Sequence, residues 1–238
     1  NNRRIRFEER IGCQERFSYD ELKSIKYDAM YPLRTPCGIW KTLAPMRALN
    51  PEKRPALAPA IVAVQNRFLS FDLENRHAAL TRIALGYVMA KTRSGYADFE
   101  TGVVYGERLA VRALRYAQKQ LLRAHGTIYV PLRLASFIER GAERRPVSGG
   151  LDLMRTLTGR WRNGRVVNTD GDTFIMFVQY RKDGPKIETV VPYGAAAGRT
   201  DQMSLFAQGR LKPRTFDKDE VLRLAAERRE FPAYRSQE

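Results

Sequence analysis

The sequence predicts an α+β protein with a large helical portion, because its patterning changes character at Gly126. Before that glycine, apolar residues recur at the spacing of amphipathic helices. After it, short β-branched and aromatic runs alternate with turn signals, which is typical of strands. The chain has 238 residues, 43% of them hydrophobic, and can therefore bury a substantial core in one large or two small domains. We divide it into a mainly helical part, residues 1–126, and a strand-rich part with a C-terminal helix, residues 127–238.

Local signals predict the helices of the first part in order. Ser18 and Glu21 have the spacing of a capping box, so a helix should run from there to about Tyr27. Prolines then interrupt the pattern, and apolar residues return at helical spacing within residues 61–69. A further helix is expected over residues 75–91. The last helix of this part is predicted from an apolar stripe with arginines on the opposite face, and it should end before Gly126. The apolar residues of the stripe are Ala110, Ala113, Leu114, Ala117 and Leu121.

Three strands are predicted in the second part. Residues 127–134 are short and β-branched, and residues 174–180 form an apolar run. Asp183 and Gly184 mark a turn, after which residues 187–193 supply the return strand. A continuous apolar strand is expected where both faces of a sheet are covered, which fits a layered sandwich with helices outside.

Residues 172–220 carry the most informative pattern of the chain. A hairpin and a glycine-containing loop are followed by a DQ-xx-LF-xx-G-xx-KP string and a short acidic helix; the string comprises Asp201, Gln202, Leu205, Phe206, Gly209, Lys212 and Pro213. This segment resembles the C-terminal end of the β-chain of penicillin acylase-type enzymes, which include acyl-homoserine lactone acylases and aculeacin acylases. Family members commonly have a longer loop with a Ser-Pro-His sequence before the Asp-Gln pair, whereas here residues 194–199 lead almost directly into it.

Three further segments resemble the same family, in the same order. Residues 1–31 are similar to an arginine-containing segment that leads into a helix ending in K-x-D-x-x-Y. Residues 71–80 resemble an aromatic and acidic turn with its following helix, and residues 145–157 resemble a proline and double-glycine segment. Together the four segments extend over nearly the whole chain, which a chance match to one short string would not do.

The resemblance implies part of an N-terminal-nucleophile (Ntn) hydrolase with an αββα sandwich. Such enzymes hydrolyse amides with an N-terminal serine whose own α-amino group is the base. This chain begins with Asn1, so the resemblance places the nucleophile on another segment and implies that the chain alone is inactive. The implied partners are the α-chain and the N-terminal β-chain segments of the same precursor, with a small acylated amide as substrate. The implied location is periplasmic or secreted, with the export signal on an upstream part of the precursor.

The resemblance also supplies the candidate catalytic residue. In the family, an arginine orients the oxyanion site; counted back from the helix start at Ser18, that arginine falls on Arg3, with Arg6 as the alternative. Both could instead be solvated charges near the terminus. The oxyanion asparagine would precede this chain by some twenty residues. No cofactor is required, and any structural calcium ion would be held by other segments.

Charge supports a different class of function. The 42 Lys and Arg against 26 Asp and Glu give a net charge of +16, which fits a basic nucleic-acid-binding module. The basic residues are, however, scattered through every segment in runs no longer than a pair or triplet, without a recognised nucleic-acid motif. A generally basic surface, balanced by an acidic partner chain, is the favoured interpretation.

The remaining reactive side chains predict no further site. Cys13 and Cys37 could form one disulfide or remain two buried thiols, and they have no neighbours at metal-ligand spacing. His77 is expected to be partly buried and hydrogen-bonded, and His125 to interact with the last carbonyls of a helix. A pair of acids, Asp170 and Asp172, is explained better by a turn before a strand than by a catalytic carboxylate pair. No apolar run approaches the length of a membrane span.

Overall fold

The computed structural model describes residues 1–227 except residues 13, 35–36, 67–68, 194–200 and 216. The described residues contain both helices and strands, as the sequence predicts. The helices are α1 (Asn2–Ile11), α2 (Tyr19–Lys26), α3 (Gly38–Arg47), α4 (Ala58–Gln65), α5 (Ala78–Thr92), α6 (Tyr96–Thr101), α7 (Glu107–His125), α8 (Asp201–Ala207) and α9 (Lys218–Glu227). Two short 3-10 helices, Pro55–Leu57 and Leu132–Leu134, lie between them.

The strands form two separate sheets. They are β1 (Ser136–Arg140), β2 (Glu143–Pro146), β3 (Leu157–Arg162), β4 (Arg165–Gly171), β5 (Ile175–Gln179), β6 (Lys186–Val190) and β7 (Lys212–Arg214). The first sheet has the order β2-β1-β4-β3, in which β1 and β4 are parallel and the other pairs antiparallel. The second is an antiparallel sheet of order β5-β6-β7. Within the described residues, β3 is therefore an edge strand.

The helix signals that depend on local chemistry are confirmed. Ser18 caps α2, and its side chain and that of Glu21 form the reciprocal capping box. Gly126 ends α7 in the left-handed conformation, at φ 70°, where glycine has no Cβ clash. The predicted stripe of α7 is fully buried and packs mainly against α5 in a large helical core.

Other helix boundaries differ from the prediction. The helix expected in residues 61–69 is α4, which ends at Gln65, and Phe68 lies outside the described residues. Leu69 instead accepts a backbone hydrogen bond from Tyr31 in an extended bridge. The next helix begins at Ala78 rather than at residue 75, because the Asn75 side chain accepts from the His77 amide and holds a turn.

The strand predicted over residues 127–134 is wrong. Only Leu132–Leu134 is regular there, and it is a 3-10 helix; the first strand begins at Ser136. Pro131 has no amide hydrogen for a strand ladder. The next two amides bond to the carbonyls of Asn75 and Leu73, at 3.2 and 2.8 Å, so they bind a neighbouring loop instead of a strand.

The β5–β6 hairpin is confirmed, but its apolar strand is covered on one face only. Gly184 turns the chain with φ 111°, and its amide bonds to the carbonyl of Arg181. Ile175 and Phe177 point into a second core shared by both sheets and α8. Met176 is 54% exposed on the opposite face. The expectation that both faces would be covered is therefore wrong for the described residues.

Glu188 on β6 joins the three-stranded sheet to α2. Its carboxylate accepts a hydrogen bond from the Tyr19 hydroxyl and lies 3.3 Å from Nζ of Lys23. Burial alone would raise the pKa of Glu188, but the bond from Tyr19 and the charges of Lys23 and Lys186 outweigh it. The pKa of Glu188 is therefore below its ordinary value.

We expect this contact to weaken in acid. The unfolded-state pKa is about 4.3 and the folded-state value is lower, so the unfolded chain binds more protons between them. The stabilisation is complete above that window and is lost as the pH falls through the folded-state pKa. Urea unfolding from about pH 6 to about pH 3 should therefore show a smaller loss of stability for Glu188→Gln than for the unaltered chain. The control is Glu52→Gln, which removes an exposed carboxylate and should lose as much stability as the unaltered chain. Equal losses in Glu188→Gln and Glu52→Gln would contradict the lowered pKa of Glu188.

Cys37 is a free, buried thiol, and burial raises its pKa. Cys13, the other half of the disulfide that the sequence allows, lies outside the described residues. Within the described part of the chain, no helix combines the length and apolarity needed to cross a membrane.

Candidate functional site

Asp152 is the centre of a buried polar cluster at the amino-terminal helix. It follows the glycine pair in a turn, has a left-handed φ of 54°, and has no exposed surface. Its Oδ2 accepts from the backbone N and from Nδ2 of Asn2, at 3.0 and 2.6 Å. Its Oδ1 accepts from Nε of Arg3 at 3.0 Å and from the Tyr96 hydroxyl at 2.7 Å. Four donors thus satisfy a carboxylate that would otherwise be costly to bury.

The start of α1 places these donors. The side chain of Asn1 caps the helix by accepting from the amide of Arg4 at 2.9 Å. Asn2 is fully buried, and its Oδ1 accepts from the amide of Ile39 at the start of α3. The positive end of the α1 dipole therefore faces the carboxylate of Asp152.

Arg3 is held in position but keeps an open face. Besides the bond to Asp152, one Nη lies 3.8 Å from Glu100, and its guanidinium carbon lies 5.6 Å from the centre of the Tyr96 ring. The side chain is nevertheless 39% exposed. A guanidinium that is oriented by one Nε bond while its other N–H groups remain accessible can bind a developing oxyanion.

Arg6 is placed differently. It makes two bonds to Asp28, at 3.1 and 2.8 Å, and a third to Glu9, and its side chain is 12% exposed. Burial alone would lower the pKa of Arg6, but these two carboxylates raise it. Because Asp28 and Glu9 occupy its donors, Arg6 is not a solvated charge and is poorly placed to act on a substrate.

A groove between α5 and β3 adjoins the Asp152 cluster through Leu151 and Phe99. We call it the α5–β3 groove; one of its two cavities has a volume of about 510 Å³ and is lined mainly by aromatic and aliphatic side chains, with Arg82 on its wall. A second cavity of about 480 Å³ shares Arg82, Gly86, Ala90, Gly159 and Arg160 with it, so the two are one continuous groove. Gly159 is required here, since a Cβ would lie 2.2 Å from the carbonyl oxygen of Val167.

Arg82 and Arg155 are the two enclosed arginines of the chain's described part, and each bonds to neutral oxygens. Arg82 donates to Ser136, Gly149 and Asn168 and more weakly to Leu157. Burial lowers the pKa of Arg82 to about 10.

Arg155 donates to Ser148 and to the carbonyls of Phe206 and Ala207, which are the last carbonyls of α8. Burial lowers the pKa of Arg155 to about 10. Its guanidinium also stacks on the rings of Tyr27 and Phe206. Arg155 is therefore the C-terminal cap of α8.

The histidines and the Asp170 and Asp172 pair do not form a catalytic group. His77 packs edge-on against Tyr129, and its buried Nδ1 has no hydrogen-bond partner among the described residues. Nε2 of His125 lies 2.7 Å from the carbonyl oxygen of Gly164, rather than bonding to its own helix. Asp172 pairs with Lys26 and Asp170 accepts from Thr169, so each acid has its own partner.

A basic pocket lies at the C-terminal end of α7. Its volume is about 580 Å³ and its walls combine cationic and aromatic side chains, namely Arg123, His125, Phe137, Arg144, Trp161 and Arg165. The described residues contain no cluster of three or more His, Cys, Asp or Glu side chains that could hold a metal ion.

Sequence reasoning missed most of the cluster. The sequence indicates Arg3 but neither of its neighbours Asp152 and Tyr96. It also does not indicate Arg82 of the α5–β3 groove. The one usable signal was the carboxylate directly after Gly149-Gly150-Leu151, in a segment otherwise rich in apolar residues. No protein-family model matches the chain, and no curated protein is significantly similar to it.

Proposed function

We propose that this chain is the C-terminal part of the β-chain of an Ntn amidohydrolase of the penicillin acylase type. The complete enzyme removes an acyl group from an amide such as an acyl-homoserine lactone, a penicillin or a lipopeptide. Its nucleophile is an N-terminal serine on another segment, and processing of a precursor in the periplasm or outside the cell exposes that serine.

Direct contacts among the four segments that resemble this family support the proposal. The amide of Phe71 bonds to the carbonyl of Ala29, and the amide of Gly149 bonds to the carbonyl of Phe71. Arg155 then bonds through its amide to the Asp28 carbonyl and through its guanidinium to Phe206. Four segments far apart in sequence therefore surround one region, as parts of one site would.

The single observation that carries the proposal is the setting of Arg3. A fully buried carboxylate, Asp152, fixes its Nε, while 39% of the side chain stays exposed. An arginine held in this way is preorganised, so it can orient an amide oxygen and stabilise developing negative charge without rearranging during the reaction.

Two uncovered features support assembly with other segments of a precursor. Large apolar side chains are exposed on β5 and directly beside it: Met176 in the strand by 54%, and Phe174 and Tyr180 at its two ends by 56% and 87%. Within the described residues, β3 has β4 as its one strand partner and leaves its other edge open. Apolar surface and a free strand edge are both features that a partner segment covers. A soluble, cooperatively folding monomer of residues 1–238 would contradict this assembly.

The direct test of activity uses the complete gene product, purified from its source together with any associated polypeptides. It should hydrolyse penicillin G or N-acyl-homoserine lactones, releasing the free acid and a primary amine in equal amounts. A serine-directed acylating inhibitor should abolish the reaction and should label a serine outside residues 1–238. Inactivity toward both substrate classes and toward an acylated lipopeptide would contradict the proposal.

A second candidate function, binding of nucleic acid by a basic module, is favoured by the pocket at the end of α7. Its arginines and the Trp161 and Phe137 rings could contact phosphates and bases. If the amidohydrolase proposal is correct, the +16 charge gives only nonspecific phosphate contacts. Duplex DNA should then bind weakly and dissociate in moderate salt. Sequence-selective binding that persists at physiological salt, measured by fluorescence anisotropy, would support the second candidate instead.

A further inference from the structure

Arg82 is a cation that lies beside an apolar cavity and has no carboxylate partner among the described residues. No Asp or Glu of the described residues lies within ion-pairing distance of its guanidinium; its partners are a hydroxyl, an amide oxygen and two backbone carbonyls. An enclosed charge is normally paired, because burial disfavours it strongly unless an opposite charge compensates. Arg82 is not sealed from solvent, however, since it forms part of the wall of the α5–β3 groove.

The hydrogen-bond inventory of Arg82 leaves one donor for a ligand. A guanidinium carries five N–H groups. Nη1 donates to Ser136 and Gly149, and Nη2 donates to Asn168 and, at 3.5 Å, to Leu157. Nε makes no hydrogen bond to the described residues. An anion in the groove can therefore accept from Nε while the other four bonds hold the guanidinium in place.

The rest of the groove suits an apolar body. Leu85, Met89, Phe99 and Leu151 line the cavity whose wall includes Arg82 and Phe71. A cavity of about 510 Å³ lies within the range of small-molecule sites, which are mostly apolar with a few fixed polar groups. Two exposed arginines at the rim, Arg93 and Arg160, add positive charge where an anion would enter.

The mouth of the groove is kept open by residues without large side chains. Gly86 lies in the middle of α5, where glycine is unfavourable relative to alanine. A Cβ at Gly86 would meet nothing within 4 Å, so neither packing nor backbone conformation requires glycine there. Ala90, one turn later, is exposed on the same groove.

We propose that the α5–β3 groove binds a small organic acid, with its carboxylate at Nε of Arg82 and its apolar body among Leu85, Met89 and Phe99. This binding is independent of the amidohydrolase proposal, because every residue involved belongs to this chain and none is assigned to the reaction.

The test measures binding to the complete gene product, together with any associated polypeptides, by isothermal titration calorimetry. The probes are 4-phenylbutyrate, its uncharged analogue 4-phenylbutan-1-ol, and inorganic phosphate as a bare anion. The carboxylate should bind about tenfold or more tightly than the alcohol, because only the carboxylate compensates the charge of Arg82. Phosphate should bind more weakly than 4-phenylbutyrate, because it buries no apolar surface.

A matched pair of variants tests the location. Gly86→Leu places a side chain at the open mouth, where its Cβ meets no atom within 4 Å, and should weaken 4-phenylbutyrate binding about tenfold or more. Gly86→Ala changes the same helix position but leaves the groove open, so its affinity should stay within about twofold of the unaltered chain. Equal binding of acid and alcohol, absence of 4-phenylbutyrate binding, or unchanged affinity in Gly86→Leu would each overturn the proposal.

Discussion

Arg3→Ala is expected to reduce turnover by the complete, assembled protein about a hundredfold or more, with assembly little changed. This is the order of effect seen when a preorganised electrostatic group at an oxyanion site is removed. Arg3→Lys should be impaired similarly, because a single ammonium cannot bond to Asp152 and orient an amide oxygen with a fixed fork of donors. The measurement is kcat for amide hydrolysis, with size-exclusion chromatography to confirm assembly.

Arg4→Ala is the matched control for this prediction. Arg4 belongs to the same helix turn, but its side chain is 79% exposed and pairs with Glu8 on the helix surface. It should therefore retain nearly full activity. A structure of the assembled protein that places Arg3 in bulk solvent, remote from the serine, would contradict its role.

Asp152→Ala is expected to lower the free energy of unfolding by roughly 3–5 kcal/mol, because each buried donor left without an acceptor costs about 1–3 kcal/mol and an alanine in the left-handed conformation costs about 1–2 kcal/mol. The substitution deletes the acceptor for two N–H groups of Asn2, which stay buried without partners. It also frees Arg3 and the Tyr96 hydroxyl, and leaves alanine in a left-handed conformation that it tolerates poorly. Urea unfolding followed by circular dichroism measures the change.

Two controls separate the parts of that effect. Asp152→Asn keeps an acceptor oxygen and tolerates the left-handed conformation, so it should lose less stability than Asp152→Ala while still weakening the hold on Arg3. Asp183→Ala removes an exposed carboxylate in the β5–β6 turn and should change stability by less than about 1 kcal/mol. A comparably small effect of Asp152→Ala would show that the cluster does not stabilise the fold.

The parts of the fold that follow from neighbouring residues could be predicted from the sequence. The capping box of Ser18 and Glu21, the stop at Gly126 and the turn at Gly184 each depend on residues a few positions apart. The strand predicted over residues 127–134 does not form, because the amides of Leu132 and Arg133 bond to Asn75 and Leu73, more than fifty positions away. A β-branched run records local preference, and these tertiary bonds override it.

In the candidate site, too, the features that depend on distant residues could not be predicted from the sequence. Arg3 could be proposed because a resemblance supplied its role, yet its partners Asp152 and Tyr96 come from a distant turn and from α6. Nothing in one sequence distinguishes a buried carboxylate from an exposed one before the fold is known. The enclosed position of Arg82 could not be predicted for the same reason, because residues of β1, β3 and β4 that pack against α5 create it.

The most direct measurement of the central claim is intact-mass and N-terminal sequence analysis of the polypeptides that co-purify with this chain from its source. The amidohydrolase proposal predicts a polypeptide whose first residue is a serine exposed by cleavage, and this polypeptide either contains residues 1–238 or is tightly bound to the one that does. A preparation that contains residues 1–238 but no serine-initiated polypeptide, and that shows no amide hydrolysis, would contradict the claim.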